Sequence, residues 1–321
     1  MEIFEYRASI IIYNIIQAFE DDKIFILPAN ICSIVPSIFL KANKKFEFID
    51  ISNETLCLDF NETYDRIKKE PQKYTGLLFS HTYGVEINVT DFFRSIKKLK
   101  EEIFTIDDKC LCIPNLNGIL PPYTDLVLYS TGYSKIIEIG WGGYGLFNDV
   151  SSVEYKNYEL EYNANDLNDL QNQFRIALDQ KKKFKYKDSN WLGGTKNYNE
   201  FAKYKKEVYG KIDSVLKLKN QINNIYYQLP KEIVLNDKYN YWRFNIIVKN
   251  KQQLIKNIFR NGLFASSHYP SLAGIFDNHR APFAEKLHKS IINLFNDFRF
   301  NEKKAQQIVE IVKKHIQIQY L

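Results

Sequence analysis

The most informative segment of the sequence is Asp125-Leu-Val-Leu-Tyr-Ser130-Thr-Gly-Tyr-Ser-Lys135, which runs on to Gly140-Trp-Gly-Gly143. Its apolar residues predict a buried strand that ends at Ser130, and the Ser-Thr-Gly run predicts a turn at the carboxyl end of that strand. A serine hydroxyl and the free backbone amides of such a turn are good donors to a phosphate dianion. Lys135 follows Ser130 by five residues, so we expect its amine to lie close to whatever this phosphate anchors.

A lysine beside a bound phosphate has two chemical uses. It is either a cationic partner of the phosphate or an amine nucleophile that condenses with an aldehyde. The Gly-x4-Gly-Lys-Ser/Thr spacing of nucleotide-binding loops is absent, which argues against the first use. The second use suits pyridoxal phosphate, which also requires a carboxylate facing its pyridine nitrogen. Asp108, at the end of the preceding predicted strand, is the candidate, and neighbouring Asp107 is the alternative.

Short apolar runs alternate with amphipathic stretches over the first part of the chain. Five runs have the length of strands, namely residues 24–27, 46–49, 76–79, 103–106 and 126–129. Residues 31–41 and 89–100 predict helices between them. This alternation predicts a largely parallel sheet covered by helices on both faces. Because polar or small residues follow each strand, we expect a ligand site at the carboxyl edge of the sheet.

The second part of the chain predicts a smaller α+β domain. Its expected elements are a long helix over residues 199–228, a strand over 241–248, and helices over 251–260, around 281–294 and over 301–316. We therefore divide the chain into a large cofactor-binding domain, residues 1–198, and a connecting helix with a small C-terminal domain, residues 199–321.

Composition excludes several classes of protein. The chain has 321 residues, of which 45% are hydrophobic, so it can bury a large core and is not disordered. A net charge of +6 is modest, and we expect no nucleic-acid partner. The early apolar run is too short for a membrane span. Four cysteines are too few for a disulfide framework, and Cys110-x-Cys112 lacks a second ligand pair, so we expect no metal and a cytoplasmic location.

With these motifs in place, the sequence resembles the DegT/StrS-type nucleotide-sugar aminotransferases, a family of fold type I pyridoxal-phosphate enzymes. Residues 105–108 resemble the family's strand with the pyridine-facing aspartate, and residues 130–135 resemble its Ser-Phe-x-x-x-Lys motif. Residues 6–10 resemble its turn around the cofactor phosphate. Residues 80–84 resemble its His-Leu/Tyr-Tyr/Phe-Gly motif, and residues 262–270 resemble its Gly-Ile-x4-His-Tyr-x-Pro stretch.

The resemblance implies a fold and a set of site residues. The fold is the pyridoxal-phosphate-dependent transferase fold type I, an α/β fold with a mostly parallel central sheet sandwiched by helices and a smaller C-terminal α+β domain. Lys135 is the catalytic lysine that binds the cofactor covalently. The implied cofactor-binding residues are Asp108, Ser130, Ala8, Ser9, His81 and, from the neighbouring subunit, Asn197. The implied substrate-binding residues are His268 and Tyr269.

The resemblance also implies an activity. The chain is expected to be an aminotransferase that moves an amino group from an amino acid, with glutamate as the expected donor, to a nucleotide-linked keto sugar. This places it in surface polysaccharide or amino-sugar biosynthesis, as a homodimer with shared active sites. One alternative is a related sugar dehydratase, in which the family has histidine at the position of Lys135. The other is a non-catalytic or regulatory homologue that keeps the cofactor.

Three positions depart from the family pattern. Leu111 stands where the family usually has a glutamine that is thought to contact the cofactor's 3-hydroxyl. The aromatic residue expected near Cys32 is absent, and Tyr6 replaces the first glycine of the amino-terminal turn. These departures leave the substrate class and the regulatory alternative open.

Overall fold

The large sheet has seven strands and forms the centre of the structure. We describe a computed structural model over residues 1–148, 153–194 and 201–317. The strands of the large sheet are β1 (Glu2–Glu5), β2 (Ile24–Pro28), β3 (Lys45–Ile49), β4 (Tyr74–Ser80), β5 (Phe104–Asp108), β6 (Leu126–Ser130) and β7 (Gly143–Phe147). They lie in the order β1-β7-β6-β5-β4-β2-β3. Strands β2 to β6 pair in parallel, whereas β7 runs antiparallel to β6 and β1. The predicted mostly parallel sheet is confirmed.

Helices connect these strands and flank the sheet. They are α1 (Ala8–Ile16), α2 (Ile34–Lys41), α3 (Phe60–Lys69), α4 (Thr90–Leu99) and α5 (Ala164–Asp179). In α4 the buried side chains are Phe92, Phe93 and Ile96, at the helical spacing that the sequence shows. None of the helices within the described residues has the length and apolar character of a membrane span.

A second, smaller sheet follows the long helix α6 (Phe201–Tyr226). Its strands are β8 (Phe244–Ile247), β9 (Ala265–Ser266) and β10 (Ile291–Leu294), and its helices are α7 (Lys251–Arg260), α8 (Pro282–Ser290) and α9 (Glu302–His315). The strands are antiparallel in the order β8-β10-β9. A separate apolar cluster packs between this sheet, α6 and α9. The division of the chain at residue 198 stays a prediction.

The expected helix around residues 281–294 is wrong in its last four residues. Helix α8 ends at Ser290, and the next four residues form the central strand of the small sheet. Ile291 and Ile292 are β-branched and fully buried, and both lie in the antiparallel ladder with β8. Four residues are too few for periodicity alone to separate a strand from a helix.

Asp50 explains how α8 is joined to the large sheet. Its carboxylate accepts from the backbone amides of Phe283 and Ala284 at 2.8 and 3.0 Å. These amides lie in the first turn of α8, where an α-helix leaves its N–H groups without partners. Asp50 is therefore a helix cap between the two parts of the chain.

A buried charge cluster lies where α6 meets the small sheet. The Lys219 ammonium donates to the Trp242 carbonyl oxygen at 3.1 Å and to Asn296 Oδ1 at 3.0 Å. Arg243 pairs with Asp297 beside it. Burial lowers the pKa of Lys219 to about 7; the charge of Asp297 opposes this shift and the charge of Arg243 adds to it.

We predict that Lys219 makes stability depend on pH. Its pKa in the folded protein, about 7, is below the ordinary value of 10.5, so between these values the unfolded chain binds a proton that the folded chain does not. The free energy of unfolding then rises with pH in this window, by on the order of 1.4 kcal/mol per pH unit. Chemical denaturation at several pH values should show this rise reduced in Lys219→Met. Lys217→Met, at an exposed position of the same helix, should keep it; equal slopes in the two variants would contradict the prediction.

Candidate active site

Parallel pairing brings the ends of three strands to one edge of the large sheet. Ser80 at the end of β4 lies opposite Asp108 at the end of β5. Ser130 ends the next strand, β6, and pairs with Gly143, the first residue of β7. Lys135 lies in the loop between β6 and β7. The predicted gathering of polar residues at this edge is present in the structure.

The first turn of α1 approaches the same edge closely because Gly143 has no side chain. A Cβ at Gly143 would lie 2.1 Å from the backbone nitrogen of Ala8. The first amides of a helix, here those of Ala8 and Ser9, have no partner within the helix and carry its positive dipole end. Ser130 is the cross-strand partner of Gly143, and its hydroxyl oxygen accepts from the Gly132 amide at 3.4 Å. The arrangement is a concavity suited to an anion.

Asp107 and Asp108 have different surroundings. Successive residues of a strand point to opposite faces of the sheet, so the two carboxylates diverge. Asp107 Oδ1 lies 2.6 Å from His81 Nε2, and its other oxygen lies 3.8 Å from the Lys109 ammonium. Asp108 accepts from the Cys110 amide at 3.0 Å and is buried. Asp107 is thus occupied on the other face, which leaves Asp108 as the candidate for the cofactor nitrogen.

His81 is a supporting residue in this structure. Its ring is fully buried, with Nε2 on Asp107 and Nδ1 at 2.8 Å from the Val85 carbonyl oxygen and 3.2 Å from the Ile87 amide. These contacts leave neither ring nitrogen available to a cofactor. A cofactor contact of His81 stays a prediction, while its bonds show how the turn after β4 is fixed to β5.

Lys135 is half-buried and shares its neighbours with Asp108. Burial raises the pKa of the Cys32 thiol, with Lys135 opposing the shift and Asp108 adding to it. Burial likewise raises the pKa of Cys110; the charge of Asp108 adds to this shift and the charge of Lys135 opposes it. The amine and the carboxylate therefore lie within electrostatic range of the same two thiols. By contrast, Lys109, the other lysine considered, pairs with Glu86 and Asp107 on the opposite face.

The small domain contributes His268 and Tyr269 to this region. Burial raises the pKa of Tyr269 well above its usual value, and Cys32 and Asp108 add to the shift. His268 keeps access to solvent, yet burial, Arg243 and Lys135 together lower its pKa to about 4. Its imidazole is therefore neutral at neutral pH, able both to donate and to accept a hydrogen bond.

Two aromatic residues anchor this pair. The Tyr83 hydroxyl donates to the His268 carbonyl oxygen at 2.7 Å. The Trp242 ring stacks on Tyr269 with ring centroids 5.9 Å apart. Small-domain side chains thus cover the edge that carries Lys135 and Asp108.

Sequence reasoning missed a group of residues that hold the Lys135 loop. Trp242, Glu138 and Arg299 bond to this loop or form part of it. The only sequence signal was Glu138 itself, a carboxylate between Ile137 and Ile139. Its partner, Arg299, lies 161 residues away, so no local pattern could have identified the pair.

The remaining expectations have mixed outcomes. Leu111, at the position of the usual glutamine, is a buried core residue. Asn197 lies outside the described residues. Within the described part of the chain, no group of three or more His, Cys, Asp or Glu side chains is arranged to hold a metal ion.

Comparisons with known proteins identify the fold. No family model and no curated protein matches the sequence. A putative PLP-dependent aminotransferase from Bacillus cereus is 17% identical, with a TM-score of 0.69 over 97% of this chain and 85% of that one. A putative sugar aminotransferase from Streptococcus pneumoniae is 12% identical, with a TM-score of 0.70 over 98% and 87%. The E. coli GDP-4-keto-6-deoxy-D-mannose-3-dehydratase is 14% identical, with a TM-score of 0.60 over 97% and 87%.

These identities establish the architecture and nothing finer. The predicted fold class is confirmed: the chain has the type I fold of the pyridoxal-phosphate-dependent sugar aminotransferase structures.

Proposed function

We propose that this chain is a pyridoxal-phosphate-dependent aminotransferase of the DegT/StrS type. It would transfer an amino group from an amino acid, with glutamate as the expected donor, to a nucleotide-linked keto sugar. What supports the proposal is that three features lie at one edge of the sheet: the loop that carries Lys135, Asp108 at the end of β5, and Ser130 beside the first turn of α1. Solved structures of the same fold include sugar aminotransferases, which supports it.

The residues present fit the cofactor. The concavity at Gly143 offers the Ser130 hydroxyl and the amides of Ala8 and Ser9 to a phosphate dianion. Asp108 would face the pyridine nitrogen, and Lys135 would bind the aldehyde carbon. Each of these groups has the charge or hydrogen-bonding capacity that its part of the cofactor requires.

Bound pyridoxal phosphate supplies an electron sink for the carbon that bears the transferred amino group. Lys135 would hold the cofactor, and its amine, once free, would serve as the general base that moves a proton at that carbon. Asp108 would place a negative charge beside the pyridine nitrogen and so favour its protonated form. Ser130, Ala8 and Ser9 would bind the phosphate.

The finer parts of the proposal concern substrate and assembly. His268 and Tyr269 would contact the sugar, since they lie near the sheet edge that carries Lys135 and Asp108. The enzyme would act as a cytoplasmic homodimer in surface polysaccharide or amino-sugar biosynthesis. Asn197 of one protomer would reach the phosphate held by its partner.

One observation favours a second candidate, a regulatory homologue that binds the cofactor without turnover. The side chain of Leu111 is buried where the family usually has a polar contact to the cofactor. Lys135 argues against the dehydratase alternative, because that enzyme type lacks a lysine at this position.

Lys135→Ala should abolish covalent cofactor binding, because the variant lacks the amine. Mixing the unmodified protein with pyridoxal phosphate should produce an absorbance band at the blue edge of the visible spectrum, and glutamate should bleach it. The band should be absent in Lys135→Ala and present in the control Lys109→Ala. Persistence in the first variant and loss in the second would assign the cofactor to Lys109. A band that no amine donor bleaches would favour the regulatory candidate.

Asp108→Asn should keep the cofactor bound and slow transamination by about a hundredfold or more, because a neutral amide does not keep the pyridine nitrogen protonated. Single-turnover bleaching with glutamate measures the effect. Asp107→Asn is the matched control on the other face of the sheet. A larger rate loss in Asp107→Asn than in Asp108→Asn would reverse the assignment of the two carboxylates.

Gly143→Ala should weaken cofactor binding. Its Cβ would meet the Ala8 nitrogen at 2.1 Å, so the first turn of α1 has to move away from Ser130. We expect Kd for pyridoxal phosphate, measured by absorbance titration, to rise by on the order of tenfold, the worth of one charge-assisted hydrogen bond. Gly210→Ala makes the same change on α6, where a Cβ meets nothing within 4 Å, and should leave Kd unchanged. Equal affinities in all three proteins would remove α1 from the phosphate site.

A further inference from the structure

Hydrogen bonds join the loop that carries Lys135 to the small domain on both sides of the lysine. Before it, the Trp242 indole N–H donates to the Ser134 carbonyl oxygen at 2.6 Å. After it, the Arg299 guanidinium donates to both carboxylate oxygens of Glu138 at 2.6 and 2.7 Å. We call these two attachments the loop clamp.

Glu138 also holds the loop from within. Its Oε2 accepts from the Ser134 amide at 2.9 Å, so the residue directly before Lys135 has both its N–H and its carbonyl group bonded. Ser134 has a φ of 61°, in the left-handed region. That conformation is unfavourable for a non-glycine residue, and it persists where the surroundings hold it. The loop clamp supplies the bonds that hold it.

The small-domain end of the clamp is part of an ionic network. Arg299 also donates to Asp297 at 2.9 Å, and Asp297 accepts from the buried Arg243. Two guanidinium groups thus meet two carboxylates in a largely desolvated place. Both bonds from Arg299 to Glu138 start at the same guanidinium nitrogen, Nη2, and charge-assisted hydrogen bonds of this kind are shorter and stronger than neutral ones.

We propose that Glu138, Arg299 and Trp242 are positioning residues for Lys135, an inference that rests on the proposed function. In the covalent step the Lys135 amine attacks the aldehyde carbon of pyridoxal phosphate, a C=N bond forms and the aldehyde oxygen leaves as water. The rate of this step depends on where the amine lies relative to that carbon. Because the loop clamp bonds Ser134 and Glu138, on either side of Lys135, we expect it to set the position of the amine.

Glu138→Ala tests the inference, since it removes the carboxylate that Ser134 and Arg299 share. The condensation of pyridoxal phosphate with the purified variant, followed by stopped-flow absorbance, should be slower by on the order of tenfold or more. Hydrogen–deuterium exchange in the segment 133–139 of the cofactor-free protein should be faster, because the loop has lost its bonds. Glu138→Gln keeps the shape and one acceptor oxygen for Ser134, and should be intermediate in both measurements.

Glu47→Ala is the matched control. Glu47 is also a buried carboxylate and accepts from Arg66, Lys73 and Tyr74, but it lies on β3 at the far edge of the sheet. This variant should lower Tm without changing the condensation rate. Trp242→Phe is a second test should Glu138→Ala not fold: it removes the indole N–H, keeps an aromatic ring, and should slow condensation in the same way.

Unchanged condensation and unchanged exchange in both clamp variants would overturn the inference. An equal slowing in Glu47→Ala would overturn it too, since the effect would then be general destabilisation. Failure of the unmodified protein to condense with pyridoxal phosphate would contradict the proposed function instead. Faster exchange in the segment 133–139 of Glu138→Ala would in that case still support the clamp.

Discussion

Parallel pairing of β4, β5 and β6 is the constraint on which the candidate site depends. Neighbouring parallel strands end at the same edge of a sheet, so Ser80, Asp108 and Ser130 meet there through backbone hydrogen bonds alone. Strand β7 runs the other way and begins at this edge, where Gly143 admits the first turn of α1. The carboxylate and the anion-binding concavity thus follow from the sheet. The lysine does not, because it lies in a loop and has to be held by other bonds.

Because side chains alternate between the two faces of β5, the adjacent residues Asp107 and Asp108 have different roles. Asp107 points to the face where His81 and Lys109 already bond to it, and so stabilises the turn after β4. Asp108 points to the other face, toward the neighbours of Lys135. A shift of the β5 register by one residue would exchange the faces to which Asp107 and Asp108 point. The buried apolar residues of β5 prevent that shift, since it would turn them toward the opposite face.

Local patterns account for what the sequence predicted well. The strands around Leu77, Ile106 and Leu128 are short apolar runs between turns. The order of residues also places Asp108 and Lys135 after β5 and β6, while their roles stay predictions. The features that were missed depend on partners distant in sequence. β10 is a strand because β8 lies beside it, and Asp50 caps a helix 233 residues away. Likewise, the pairing of Glu138 with Arg299 appears only once the chain is folded.

The junction between the Lys135 loop and the small domain is ionic, which affects both the stability of the fold and the geometry of the junction. Buried charges cost desolvation energy that an apolar contact of the same size does not, so the network around Asp297 is a poor way to gain stability. An apolar contact, however, tolerates sliding, whereas the charge-assisted hydrogen bonds from Arg299 Nη2 to Glu138 are directional. Burial lowers the pKa of Lys219 to about 7, so Lys219 is mostly neutral above that pH. The charges of the two guanidiniums and the two carboxylates then nearly cancel. We infer that the junction stabilises the fold less than an apolar contact would, but defines the position of the small domain relative to Lys135.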